Sequence, residues 1–197
     1  MIICLIGPSA AGKSTIAKRL QSLHPERFAR VPVDFFFVPR PPQVSMPDYL
    51  SAPFAYDWDA VDQTLNEVGT RRSTPDCDFD QLVWRSERGG LPIAEAPAYV
   101  LDGMRPHPRC DYLVMLDLDP AVQRQRLIAR DLRWGTQVAE RSAHLAATFE
   151  AGCAELPRKP DLRLSAAAEV EHNANKIISA LESRGVAEVR SGDGAQG

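Results

Sequence analysis

The sequence predicts an α/β fold, a central parallel sheet between layers of helices, and three observations lead there. Short, continuously apolar runs alternate along the chain with segments of helical periodicity, the pattern of strands buried on both faces and joined by crossover helices. The runs give way to Gly7, Asp34, Asp102 and Asp117, and open parallel sheets bind ligands at the carboxyl ends of their strands. The first run also passes directly into Gly7-Pro8-Ser9-Ala10-Ala11-Gly12-Lys13-Ser14, followed by a helical pattern.

The elements follow in order. Ile2-Ile3-Cys4-Leu5-Ile6 is rich in β-branched residues and reads as a buried strand. Residues 13–23 place Ile16, Leu20 and Leu23 on one helical side. Phe28 to Val33 is a second strand ending at Asp34, and the prolines crowding residues 35–53 predict an irregular loop. Asp59 to Val68 is helical, with Val61, Leu65 and Val68 apolar. Residues 70–97 have no clear period, and Gly89-Gly90 suggests a hairpin turn.

Tyr99 to Leu101 and Tyr112 to Leu116 are further strands, ending at Asp102 and Asp117. Asp119-Pro120 is a helix cap with proline at the first helical position, and the helix runs to about Arg133. A second helix spans residues 137–154, an edge strand Asp161 to Leu164, and a last helix Val170 to Ser183. Residues 185–197 are Gly-rich and polar, the composition of a disordered tail.

Composition narrows the function. A net charge of −3 argues against a non-specific nucleic-acid binder. Cys4, Cys77, Cys110 and Cys153 form no C-x-x-C pair, so free thiols in a reducing compartment are expected. No apolar run approaches the roughly 18 residues of a membrane span, and Met1 to Ile6 is too short for a secretion signal. A cytoplasmic protein without a membrane or nucleic-acid partner is the expectation.

Residues 7–14 match G-x-x-x-x-G-K-[ST] in full. Glycines at the ends let the backbone of Pro8, Ser9, Ala10 and Ala11 curl so that N–H groups converge on phosphate oxygens. The helix opening near Lys13 adds its positive end. Lys13 is expected to reach the β- and γ-phosphates of ATP, Ser14 to ligate Mg²⁺, and Thr15 to support the α-phosphate. A GTPase switch would need an [NT]-K-x-D motif, and Arg158-Lys159-Pro160-Asp161 lacks the Asn or Thr. A motor or assembly ATPase is usually longer. A small-molecule kinase fits the short chain and its ring of carboxylates.

The order of motifs resembles the uridine kinase family, which includes related riboside kinases. Gly7 to Thr15 is followed by Asp34-Phe35-Phe36-Phe37, where the family has an Asp before aromatics. Phe54-Ala55-Tyr56-Asp57-Trp58-Asp59 precedes a helix, Leu101-Asp102-Gly103 matches an acid and glycine after a strand, and Arg126-Leu127-Ile128-Ala129-Arg130-Asp131 resembles a lid helix. The resemblance spans about residues 1–180. It implies a P-loop three-layer kinase domain over residues 1–184, with an Arg-bearing lid, that moves the γ-phosphoryl of ATP to a hydroxyl of a nucleoside-like or riboside-like acceptor.

The same resemblance assigns Asp34 as the base that takes the hydroxyl proton. Asp102 holds Mg²⁺ directly or through water; the family more often has Glu here. Asp57 either holds sugar hydroxyls or caps the following helix. Arg126, Arg130 and Arg133 fall on one helical face, with Ala121, Ile128 and Leu132 roughly opposite. That predicts a packed apolar side and a cationic side that either clamps the transferred phosphoryl group or is merely solvated.

In Cys77-Asp78-Phe79-Asp80-Gln81-Leu82-Val83-Trp84-Arg85, cysteine stands where uridine kinases have tyrosine, and no histidine follows. The base-reading residues are therefore unmatched: either Trp84 or Phe36 stacks on another ring or the acceptor has no base, which leaves nicotinamide-riboside-like, sugar-like and other hydroxyl acceptors open. Two alternatives remain: a nucleoside-monophosphate-type kinase, and an ATP-binding switch with no acceptor.

Overall fold

The computed structural model describes residues 1–38, 41–44, 56–67, 72–75, 90–135, 138–154, 156 and 158–185. Trp84, the Cys77–Arg85 segment and the tail beyond residue 185 lie outside them. In chain order the elements are β1 (Ile2–Ile6), α1 (Lys13–Leu23), β2 (Phe28–Val31), a 3₁₀ turn (Val33–Phe36) and α2 (Trp58–Asn66). There follow β3 (Ala98–Gly103), β4 (Tyr112–Asp117), α3 (Pro120–Trp134), a second 3₁₀ turn (Val138–Arg141), α4 (Ser142–Ala154), β5 (Leu162–Ser165) and α5 (Val170–Ser183).

The five strands form one sheet in the order β2-β3-β1-β4-β5, every pair parallel. The predicted edge strand is indeed at an edge. Side-chain alternation sends Ile3 and Leu5 to one face, where they pack with Ile16 and Leu20 of α1 and Ile177 and Leu181 of α5. Cys4 and Ile6 face the other way, against Leu113, Met115 and Phe149 of α4. β1 is therefore buried on both sides, which explains why its sequence reads as a continuous apolar run.

Three expectations shift in detail. β2 ends at Val31 because Pro32 cannot donate to the ladder, so Asp34 sits in the 3₁₀ turn and not at a strand end. β3 extends to Gly103, which places Asp102 inside the strand. Around residues 73–92, Ser73 and Pro92 bridge antiparallel, and Gly90 donates to the Thr74 carbonyl at 3.2 Å. That closes an excursion where a hairpin was expected, although Gly89 lies outside the described residues.

The lid helix is corrected outright. Its buried positions are Gln123, Leu127 and Asp131, while Ile128 is 38% and Leu132 83% exposed. The apolar positions do not pack; Arg126 and Arg130, beside Leu127, are half-buried, while Arg133 stays exposed. Helical angle alone cannot say which side meets the protein.

Leu20 is fully buried between α1, the sheet and α5. Leu20→Ala should lower stability by about 2–5 kcal/mol, the usual cost of a core cavity, measured as a lower urea midpoint with an unchanged slope.

Candidate active site

The loop from Gly7 to Gly12 leaves β1 and enters α1 through two residues in the left-handed region, Ala10 at φ 65° and Gly12 at φ 89°. Gly12 adopts this region freely; Ala10 does so at a cost of order 1 kcal/mol, the kind of local strain that collects at functional sites. Gly12 is also the N-cap of α1 and offers no side-chain cap. The first N–H groups of the helix therefore point into the loop as donors for an anion. The Lys13 ammonium folds over the loop and donates to the carbonyls of Gly7 at 2.8 Å and Pro8 at 3.0 Å. Burial pushes it down to about 8, while the carboxylates of Asp34 and Asp102 pull upward and Arg130 repels it.

A cavity of about 540 Å³ opens over this loop. Ser9, Ala10, Gly12, Lys13, Ser14 and Thr15 form its phosphate-loop side; Asp34 and Asp102 its acidic floor; Arg126, Arg130 and Arg133 its far wall. Pro32, Phe35, Phe37, Met104 and Leu145 supply an apolar side. One cavity thus gathers Lys13, Ser14, Asp34, Asp102, Arg126 and Arg130. Asp57 is exposed, does not line the cavity, and accepts from the Ala60 N–H at 2.9 Å as the N-cap of α2.

Its neighbour Tyr56 reaches the site instead. The Tyr56 hydroxyl donates to Asp34 Oδ1 at 3.1 Å and accepts from the Met104 N–H at 3.3 Å. An antiparallel bridge between Phe37 and Tyr56, with their rings stacked at 4.3 Å, brings Tyr56 back beside the 3₁₀ turn. β3 approaches the same turn closely: a Cβ on Gly103 would lie 2.3 Å from Val33 Cγ2. Asp34 is held by a hydroxyl, and its neighbour Val33 packs against β3 where Gly103 has no Cβ to clash with it.

Arg30 is the second residue that sequence reasoning missed. It grips Asp102 with two bonds, Nε to Oδ1 at 3.0 Å and Nη2 to Oδ2 at 3.2 Å. Arg30 pairs in register with Val100, so Asp102 lies two residues further along the same face of β3. The side chains are 11% and 2% exposed. Burial raises the Asp102 carboxyl, countered first by Arg30 and then by a hydrogen bond from Ser14. The signal available in the sequence was an arginine inside an otherwise apolar strand, Phe28-Ala29-Arg30-Val31.

From behind, α3 braces the loop. Gln123 donates to the Ser9 carbonyl at 3.1 Å, Arg126 to the Ala10 carbonyl at 3.3 Å and to the Ala166 carbonyl at 2.8 Å, and Arg130 to Ser9 Oγ at 3.4 Å. The Asp119 carboxylate caps the helix through Ala121 and Val122. Burial lowers the Arg130 guanidinium, opposed by Asp131 and Asp34.

Arg30→Met removes the partner of a buried carboxylate. It should cost about 3–5 kcal/mol of stability, read by urea unfolding, and adding Asp102→Asn should recover part of the loss.

No curated protein matches the chain in sequence. A family model described as chloramphenicol phosphotransferase-like protein matches residues 1–88. Among solved structures, a candidate fructose transport system kinase from Silicibacter sp. TM1040 is similar at 21% identity and a TM-score of 0.58, over 83% of this chain and 89% of that one. A gluconokinase from Sinorhizobium meliloti 1021 is similar at 15% identity and 0.50, over 92% and 91%. A possible uridine kinase from Bacillus stearothermophilus reaches 16% identity and 0.48, over 83% and 88%. With its five-stranded parallel sheet and flanking helices, this chain has the three-layer α/β fold of P-loop kinases.

Proposed function

We propose that this protein is an ATP-dependent kinase that transfers the γ-phosphoryl group to a hydroxyl of a small molecule, nucleoside-like or riboside-like in the first instance. The observation that carries the reading is Asp34, a carboxylate held by Tyr56 in the same cavity as Lys13 and the phosphate loop. A nucleotide-binding switch has no need of an oriented base facing an apolar acceptor wall. The names of similar proteins, chloramphenicol phosphotransferase-like protein and gluconokinase, are those of enzymes that phosphorylate small molecules, which supports the same reading.

The loop N–H groups and Lys13 hold the β- and γ-phosphates. Asp34 accepts the hydroxyl proton as the acceptor oxygen attacks phosphorus. Arg130, whose guanidinium sits beside Ser9, and Arg126 neutralise charge on the phosphate side. Ser14 and Asp102 offer a hydroxyl and a carboxylate to Mg²⁺, a set that suits an ion held mainly by phosphates and water. Both Asp102 oxygens already accept from Arg30, which favours contact through water. The ion would screen the phosphate charge.

One observation favours a second acceptor class. Lys13, Lys18, Arg30, Arg126, Arg130 and Arg133 line the cavity against only Asp34 and Asp102 among the described residues. Lys13, Arg126 and Arg130 are assigned to the ATP phosphates and Arg30 to Asp102, so the cations that would meet an anionic acceptor, such as a sugar acid or a nucleoside monophosphate, are Lys18 and Arg133.

The test is ADP release with ATP and Mg²⁺ across nucleosides, ribosides, neutral sugars, sugar acids and nucleoside monophosphates. An acceptor should stimulate turnover, and Asp34→Asn should cut kcat by about 10²–10⁴-fold while ATP affinity is retained. ATP binding with no stimulation by any acceptor, or full activity in the variant, would overturn the reading.

A second prediction concerns pH. Lys13 is pushed down to about 8 in the free protein, and a polyphosphate against it favours the charged form. Proton binding is therefore linked to nucleotide binding: above the free pKa the nucleotide must bind together with a proton. Affinity should fall as pH rises through 8, and calorimetry in two buffers of different ionisation enthalpy should show proton uptake at about pH 9 and little at about pH 7.

A further inference from the structure

Among the described residues, Ala10 alone of those that are not glycine has its backbone in the left-handed region, at φ 65°. The turn it occupies demands this. The Ala11 N–H donates to the Pro8 carbonyl at 3.1 Å, which closes a four-residue turn with Ser9 and Ala10 at its centre. Ser9 is outside the positive-φ region and Ala10 is inside it, the pattern of a turn whose third residue is by preference glycine or asparagine. Gly12 meets a similar demand without a Cβ. Ala10 meets it with one, so its surroundings must hold the backbone there.

The helix α3 does so. The conformation of Ala10 is the angle between two rigid peptide planes, one carrying the Ser9 carbonyl and the other the Ala10 carbonyl. Gln123 donates from Nε2 to the first at 3.1 Å, and Arg126 donates from Nη1 to the second at 3.3 Å. Each plane is pinned by its own donor, and the donors lie three residues apart on one side of the helix. The peptide is trans, so turning the Ser9 carbonyl toward α3 aims the Ala10 N–H away from it. Only the amide nitrogen of Gln123 can donate to a carbonyl, which fixes the orientation of that side chain too. Gln123 is 1% exposed and, unlike Arg126, does not line the cavity. It acts on the site only through the loop.

We propose that Gln123 is a positioning residue for the nucleotide: it holds the strained Pro8–Ala11 turn in its binding conformation, the task that a glycine at position 10 would make unnecessary. The inference rests on the nucleotide-binding part of the proposed function. Without the Gln123 donor, the plane between Ser9 and Ala10 is free to rotate and relieve Ala10, which swings the Ala10 N–H out of line. With glycine at position 10 the same turn carries no Cβ strain, and the brace is dispensable. A residue that merely filled the core would show no such dependence on position 10.

Calorimetric titration with ADP and Mg²⁺ tests this on Gln123→Met, Ala10→Gly and the double variant. Methionine keeps the length of glutamine and removes the donor. Gln123→Met should weaken ADP binding about 10-fold, the effect of leaving the Ser9 carbonyl without its partner. Ala10→Gly alone should stay within about twofold of the wild type, and in the Gln123→Met background it should return most of the loss, the non-additivity of two residues that share one backbone unit. Gln123→Asn, whose amide is one methylene short of the Ser9 carbonyl, should weaken binding and be rescued in the same way. The proposal is overturned if Gln123→Met binds ADP as tightly as the wild type, or if glycine at position 10 leaves the loss unrepaired. It is overturned too if neither variant at 123 folds even with that glycine, which would make Gln123 a core residue only. Failure of the wild type itself to bind ADP is a separate result, which would overturn the nucleotide-binding reading and this inference with it.

Discussion

The buried pair between Arg30 and Asp102 sets the terms for the rest of the site. Each charge alone would be costly at that depth, and together they survive only because two parallel hydrogen bonds join them across β2 and β3. The pair fixes the carboxyl end of two strands. It also leaves Asp102 with limited capacity for a further direct ligand. Lys13 lies in the field of the Asp102 and Asp34 carboxylates, which hold its ammonium up against the cost of burial. Losing Arg30 would therefore disturb the strand pair and the charge balance around the phosphate loop together.

The phosphate loop is held from two directions. The sheet supplies its entry through β1 and its exit into α1. The lid helix supplies its back: Gln123, Arg126 and Arg130 occupy acceptors on Ser9 and Ala10. The arginines face both ways, bonded to the loop and lining the cavity. A helix packed through Leu127 and capped at Asp119 carries them, so their placement depends on a backbone that is itself well anchored. This is pre-organisation, donors fixed before a ligand arrives.

The Asp34 side of the cavity is built differently. Asp34 sits in a short 3₁₀ turn, which by itself would place a side chain loosely. Two remote pieces correct that: Tyr56, returned by the bridge to Phe37, and Gly103, which lets β3 press against Val33. The Tyr56 hydroxyl fixes one carboxylate oxygen of Asp34.

The phosphate loop, the strand–helix alternation and the Asp119 cap were legible in the sequence because each is a local property of neighbouring residues: a spacing, a period, a cap next to its helix. The roles of Tyr56 and Arg30 were not, because each depends on a partner tens of residues away, and strand register decides which residues meet. Asp57 and Tyr56 are adjacent in sequence, yet one caps a helix while the other holds Asp34; only the fold of the intervening chain separates them. The lid helix makes the same point. Its periodicity determined that Arg126, Arg130 and Arg133 share a side, but burial of Leu127 and exposure of Leu132 were decided by what the helix packs against. A sequence by itself determines which side chains can lie together along one element, through fixed backbone geometry. Which of those sides is buried, and which distant charge it meets, was decided only by tertiary structure, because desolvation and ion pairing act between elements that the chain order does not bring together.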